Sequence, residues 1–391
     1  MSGSSSGGST SSGGSTSSGG GSGGLGHTGG AGAVASGGRP AGTGGGGSGG
    51  AGNGTGGGSS GGAGTGGGPP TGSGGGGGSA SSALWHCPAG PFTGSPIPAG
   101  AVPTRIAGAP PTEDAFNMYN FGNVEGPVWI GEALYFSDMK NGDLPPSRIL
   151  KITESDAVSI FIPDSGSNGL AVDPDGNLVS ANHGKQGIVR FHMPDGAPTT
   201  LVSTYDGKPF NCPNDLTVRS DGTIFFTDPT HQNESAPTQT ATRVYQLAPG
   251  ATSATAVTDY LNQPNGITLS LDEQTLFIDG VDGVKKYAIT GGVVAPTGVA
   301  FGPSDVTNIP TDGMVMDCAG NLYVTVVSTT NVVVVGPDGS KVGTISVDGP
   351  SAVTNVAFGG DDRRTLYITG QGNDTQRGVF KMHMNFPGMP Y

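Results

Sequence analysis

The sequence predicts an all-β, six-bladed β-propeller preceded by a Gly/Ser-rich tail, and three observations carry that prediction. Six segments open alike: E-G-P-V-W from Glu125, N-G-L-A-V from Asn168, N-D-L-T-V from Asn214, N-G-I-T-L from Asn265, D-G-M-V-M from Asp312 and N-V-A-F-G from Asn355. Their starts lie 43 to 51 residues apart, the length of one four-stranded blade. Each start is followed 9 to 11 residues later by an apolar anchor (Leu134, Leu178, Ile224, Leu276, Leu322, Leu366) that opens a second strand-like run. Turn sequences such as D-P-D-G-N and R-S-D-G-T separate the two, and no long helical pattern interrupts them.

The tail spans residues 1–83 and the propeller residues 84–391. The tail is almost entirely Gly, Ser, Thr and Ala, and Arg39 is its only charged residue. Such a segment has too little apolar surface to offset the entropy of ordering it, so disorder is expected. As a flexible coil it would reach roughly 50 Å, enough for a tether. The folded part then carries a net charge of −14, one unit below the chain's −13 once Arg39 is set aside. That balance argues against nucleic acid as a partner. No apolar run is long enough for a transmembrane helix.

Within the blades the period-2 pattern recurs. The second repeat reads G-L-A-V-D, N-L-V-S-A, G-I-V-R-F-H and T-T-L-V-S-T; the third reads D-L-T-V-R, T-I-F-F-T-D, R-V-Y-Q-L and T-A-V-T-D-Y. The sixth supplies only N-V-A-F-G, T-L-Y-I-T and G-V-F-K-M-H before the chain ends. An open sheet edge invites pairing with other chains. The segment from Pro103 to Ala107 is therefore expected to provide the missing outer strand.

The innermost strands of a propeller surround one axis, so the side chains that open the repeats should converge. They are Glu125, Asn168, Asn214, Asn265, Asp312 and Asn355. A buried carboxylate needs a partner, and no Lys or Arg holds a matching repeat position. An all-oxygen donor set with two carboxylates suits a hard cation, Ca²⁺ before Zn²⁺ or Mg²⁺.

These motifs, with the block P-N-D…F-T-D-P around Asn214 and Asp228, resemble the gluconolactonase family, which includes regucalcin-like sugar lactonases. The resemblance covers about residues 115–385. It implies one catalytic divalent metal held by Glu125, Asn214, Asn265 and Asp312, with Asn168 and His183 lining the cup above it. It also implies hydrolysis of a lactone by water, a sugar lactone being the first candidate. Asp312 is the expected catalytic base and His183 the competing one. Asn168, His183, Cys212 and His231 are the expected substrate-binding residues, His231 at the pocket rim; Cys212 stands where sugar lactonases often carry Arg, a departure that puts aldonolactone selectivity in doubt. Asp228 reads as a turn-former before Pro229. A phosphotriesterase or other ester hydrolase on the same site, and a non-catalytic binding propeller tethered to an envelope, are the alternatives.

Three cysteines occur, Cys87, Cys212 and Cys318. A Cys87–Cys318 disulfide would pin the start of the folded part to the fifth blade and suit an oxidising compartment; three reduced thiols are the alternative. The Gly/Ser leader resembles the spacer behind the lipidated cysteine of exported bacterial lipoproteins. The expectation is an extracytoplasmic monomer, with a lipid anchor possible upstream of the tail and a cytoplasmic location as the alternative.

Overall fold

Each repeat forms one antiparallel sheet whose first strand is innermost. The structure, a computed structural model, describes residues 86–106, 121–140, 146–232, 236–373 and 376–390, all within the unit Gly76–Tyr391. The expected tail of residues 1–83 lies outside the described residues. The inner strands are Asn123–Ile130, Ser167–Val172, Leu216–Val218, Pro264–Leu269, Thr311–Met316 and Ala352–Gly359. Each touches the inner strand of the next blade, and the sixth touches the first, so the ring closes. Among the described residues there is no helix.

The sixth blade is completed from the other end of the domain, as the sequence requires. Strand Thr104–Arg105 pairs antiparallel with Gly378–His383, Thr104 facing Lys381 and Arg105 facing Phe380. Arg105 strengthens this seam by donating Nε and Nη2 to Arg377 O, at 3.0 and 2.7 Å. Pairing the edge with a distant segment of the same chain removes the unpaired edge that would otherwise recruit another molecule.

The repeated turns explain the polar punctuation. Asp173 Oδ1 accepts the backbone N–H groups of Asp175 and Asn177, at 3.0 and 2.8 Å. Asp317 does the same for Ala319 and Asn321, both at 2.9 Å. The following glycines, Gly176 and Gly320, sit at φ of 81° and 83°, a left-handed conformation that other residues rarely adopt. The anchors at Leu134, Leu178, Leu276, Leu322 and Leu366 are fully buried.

Apolar residues fill the wedges between blades. Trp129 of blade one stacks on Tyr367 of blade six, with centroids 5.7 Å apart and planes 15° apart. Gly359 is glycine because a Cβ there would come within 2.7 Å of the Trp129 ring. Blade one holds a buried ion pair, Arg148 Nε to Asp138 Oδ2 at 2.7 Å, with burial nonetheless pushing Asp138 up to about 6. The expected Cys87–Cys318 disulfide is present. Beside it the C-terminal segment is stitched to blade five through Cys318 N to Pro387 O, 2.8 Å, and Met389 N to Met316 O, 2.9 Å.

Candidate active site

In blades two to five the residue that opens the repeat sits on a β-bulge. In blade two the ladder passes from the pair Ser167–Asn182 to the pair Leu170–Ser180, so Asn168 and Gly169 together face Ala181. The same two-against-one arrangement sets Asn265 and Gly266 against Asp279. In blade five Asp312 and Gly313 face Thr325. Blade three repeats it through Asn214 N to Thr227 O, 2.9 Å, and Thr227 N to Asp215 O, 3.0 Å. Blade one pairs Glu125 directly with Ser137 and places its irregularity after it. A bulge bends the strand and re-aims a side chain.

Blade six corrects the register expected from the sequence. Its bulge comprises Thr354 and Asn355 facing Thr369, with Val356 in the ladder position of Leu170, Ile267 and Met314. Thr354, not Asn355, is the equivalent of Asn168 and Asp312, and Asn355 corresponds to Asp215 and the glycines. A polar residue before an apolar run marks either bulge position, so pattern matching slid by one residue. The Thr354 hydroxyl binds Val124 O at 2.8 Å and Thr369 Oγ1 at 2.7 Å.

The second bulge positions form a contact ring of their own. A Cβ at Gly169 would lie 2.4 Å from Asp215 Oδ1, and one at Gly313 would lie 2.0 Å from Asn355 Oδ1. Glycine is thus required beside the two positions that carry side chains. Asn355 Nδ2 faces Glu125 Oε2 at 3.3 Å and Asp215 Oδ2 at 3.5 Å, bringing together blades one, three and six. Burial pushes Asp215 up to about 7, opposed by hydrogen bonds from Leu216 N, the Asn355 amide and Ile267 N.

Asp279, which the sequence reading missed, is buried opposite the blade-four bulge. Its Oδ1 accepts Gly266 N at 2.7 Å, and burial raises its pKa well above the usual carboxylate range, opposed by the Gly266 N–H and the Thr311 hydroxyl. An acidic residue ending the apolar strand Thr275–Gly280 was the available signal.

A second cluster joins blades two and three. Asn168 Nδ2 lies 3.0 Å from His183 Nε2 and donates to Gln232 Oε1 at 2.8 Å. Asn214 Nδ2 donates to the same Gln232 oxygen. Gln232 is buried four residues beyond strand Ile224–Asp228 and was also missed, having no counterpart in the other repeats. Cys212 is buried, and its thiol faces Gln232 O at 2.8 Å. Asp228 does more than shape a turn. Its two oxygens accept Asn211 N at 3.0 Å and Cys212 N at 2.7 Å, which fixes the approach to Asn214. His231 is exposed beside Gln232.

Asn265 and Asp312 occupy the first bulge position of blades four and five and are half-buried. Asn265 is anchored through its carbonyl, which accepts Thr227 Oγ1 at 2.7 Å. The donor chemistry fits a hard divalent cation. Glu125, Asp215 and Asp279 are buried carboxylates faced by amide and backbone donors, with no lysine or arginine among those contacts. Among the described residues no three His, Cys, Asp or Glu side chains group as metal ligands; the expected set has only two such residues, its others being asparagines.

A cavity of about 580 Å³ lies beside this layer. Asp215 and Asn355 border its inner end, Leu216, Ile267 and Met314 wall it, and the turns at Pro174 and Ser220 border its outer end. Glu125, Asn168, Asn214, Asn265 and Asp312 do not line it.

Fold and site together define a six-bladed propeller with an oxygen-rich polar centre at the start of its inner strands. The chain belongs to the family described as "SMP-30/Gluconolactonase/LRE-like region", whose model matches residues 124–372. It is 30% identical over 282 residues to a gluconolactonase of Zymomonas mobilis, an alignment covering 64% of this chain and 76% of that protein. It is 29% identical over 259 residues to a pentonolactonase of Haloferax volcanii, covering 64% of this chain and 82% of the relative. A solved gluconolactonase from Xanthomonas campestris superposes with a TM-score of 0.59 at 28% identity, covering 76% of this chain and 98% of the other.

Proposed function

We propose that this protein is a calcium-dependent hydrolase that opens a lactone ring, a sugar lactone being the first candidate. The observation that carries the reading is the set of oxygen-bearing side chains on the inner-strand bulges of blades two to five, with Glu125 at the matching start of blade one, in a chain whose relatives include a gluconolactonase and a pentonolactonase. Glu125, Asn214, Asn265 and Asp312 would hold the cation. When bound, it supplies positive charge where the carbonyl oxygen becomes negative during water attack.

The chain's own residues do the rest. Asp312 takes a proton from water as the water oxygen bonds to the carbonyl carbon. The ring C–O bond then breaks, and that proton goes to the departing oxygen, giving a hydroxy acid. His183 and Asn168, 3.0 Å apart at Nε2 and Nδ2, line the wall against which the substrate's hydroxyl groups lie, with His231 at the rim. Cys212 stands behind this wall through its contact with Gln232, so it shapes the pocket without touching substrate. The Cys87–Cys318 disulfide favours an extracytoplasmic location, where such bonds persist.

The test is a pH-indicator screen of five- and six-membered lactones with native and chelator-treated protein. Turnover that is lost on chelation and returns with Ca²⁺ is the expected result. Turnover untouched by exhaustive chelation would overturn the metal reading, and no turnover of any lactone would overturn the hydrolase reading.

A further inference from the structure

The geometry points to Gln232 as a positioning residue that fixes the amides of Asn168 and Asn214, so that the Asn214 oxygen faces the cation site and the Asn168 oxygen faces the substrate beside it. The inference rests on the proposed metal-dependent function and extends it to a residue outside the expected ligand set.

A carboxamide has an accepting oxygen and a donating NH₂ group, and a cation takes only the oxygen. An asparagine ligand must therefore be prevented from rotating its NH₂ group inward. Gln232 Oε1 has two lone pairs, and two donors converge on it: Asn168 Nδ2 at 2.8 Å and Asn214 Nδ2. The other hydrogen of Asn168 Nδ2 is directed at His183 Nε2, 3.0 Å away. With both NH₂ groups committed to this side, Oδ1 of each asparagine is presented to the other.

The lock is itself held. Gln232 is buried, and its backbone carbonyl faces the Cys212 thiol at 2.8 Å. Cys212 N is in turn gripped by Asp228 at 2.7 Å. One loop thus fixes both the backbone that leads into Asn214 and the orientation of its amide.

The test compares Gln232→Leu with Gln232→Glu in the full chain. A glutamate accepts at both oxygens, so it keeps the lock; leucine removes it. Calcium titration of chelator-stripped protein should show Gln232→Leu weakened about 10- to 100-fold, as for other residues that orient metal ligands. Gln232→Glu should bind within about threefold of wild type or more tightly. In the metal-free protein, the side-chain NH₂ resonances of Asn168 and Asn214 should be dispersed and slow to exchange in wild type and Gln232→Glu, and collapsed in Gln232→Leu. Wild-type affinity in Gln232→Leu would overturn the inference, as would a glutamate variant as weak as leucine, because the glutamine would then be donating. Should wild type bind no calcium, the metal reading fails, while the resonances still decide whether the lock exists. If Gln232→Leu does not fold, the glutamate variant alone separates acceptance from donation.

Discussion

The Asn355 amide donates to Glu125 Oε2 across 3.3 Å, joining the last blade to the first at the polar layer. The same nitrogen faces Asp215 Oδ2 at 3.5 Å, so one neutral side chain serves two buried carboxylates. Asn355→Leu leaves both acceptors without this donor. It should lower unfolding free energy by about 1–3 kcal/mol, the cost of an unsatisfied buried polar group, measured by urea titration. An unchanged midpoint would show that the contact contributes nothing.

Asp312→Asn should be the most damaging conservative change to catalysis. It preserves an oxygen donor and the shape of the bulge while removing the proton acceptor, which costs about 10² to 10⁴ in rate. His183→Ala is the matching control. If the asparagine variant turns over lactone at the wild-type rate and the alanine variant does not, the base is His183.

Burial pushes Asp228 from 3.8 up to about 7, while backbone N–H groups of Asn211 and Cys212 pull the other way. The folded state therefore binds this proton more tightly than the unfolded chain. The stability linked to that proton is fully present below the unfolded value and is lost as pH rises through about 7. In chelator, the wild type should gain stability between pH 7.5 and pH 5, and Asp228→Asn should shrink that gain. Parallel pH profiles for the two proteins would count against a perturbed Asp228.

A chain starting at Ser81 keeps both Cys87 and the Thr104–Arg105 strand, and its melting temperature should match the full chain's. One starting at Phe121 loses the disulfide and uncovers the edge of Gly378–His383. Removing the bridge alone typically costs 2–5 kcal/mol, and the bare edge invites association. Calorimetry and light scattering should show a lower transition and oligomers. A stable monomer from Phe121 would mean that closure through Thr104 and Arg105 is dispensable.

Alkylation offers a check on the cysteines. Cys212 should react only after unfolding, since it is 2% exposed, and Cys87 and Cys318 only after reduction. Any thiol reacting in the native oxidised protein would contradict the packing at Gln232 or the bridge.

What the sequence by itself determined is whatever repeats. Blade number, the inner strands and the tight turns after them follow from local patterns, because each sheet needs the same alternation and a sharp reversal, written D-x-x-G in blades two and five. Closure of blade six by residues near Thr104 was legible for the same reason: a propeller one strand short must borrow one. Glu125, Asn168, Asn214, Asn265 and Asp312 could be picked out because they share a register. Tertiary structure decided what does not repeat. It moved the sixth start to Thr354, since a bulge has two residues and only the ladder tells which is first. It also brought in Asp215, Asp279 and Gln232, whose partners lie on other blades or across a hairpin. Such contacts depend on the rotation between neighbouring sheets, which no period in the sequence encodes.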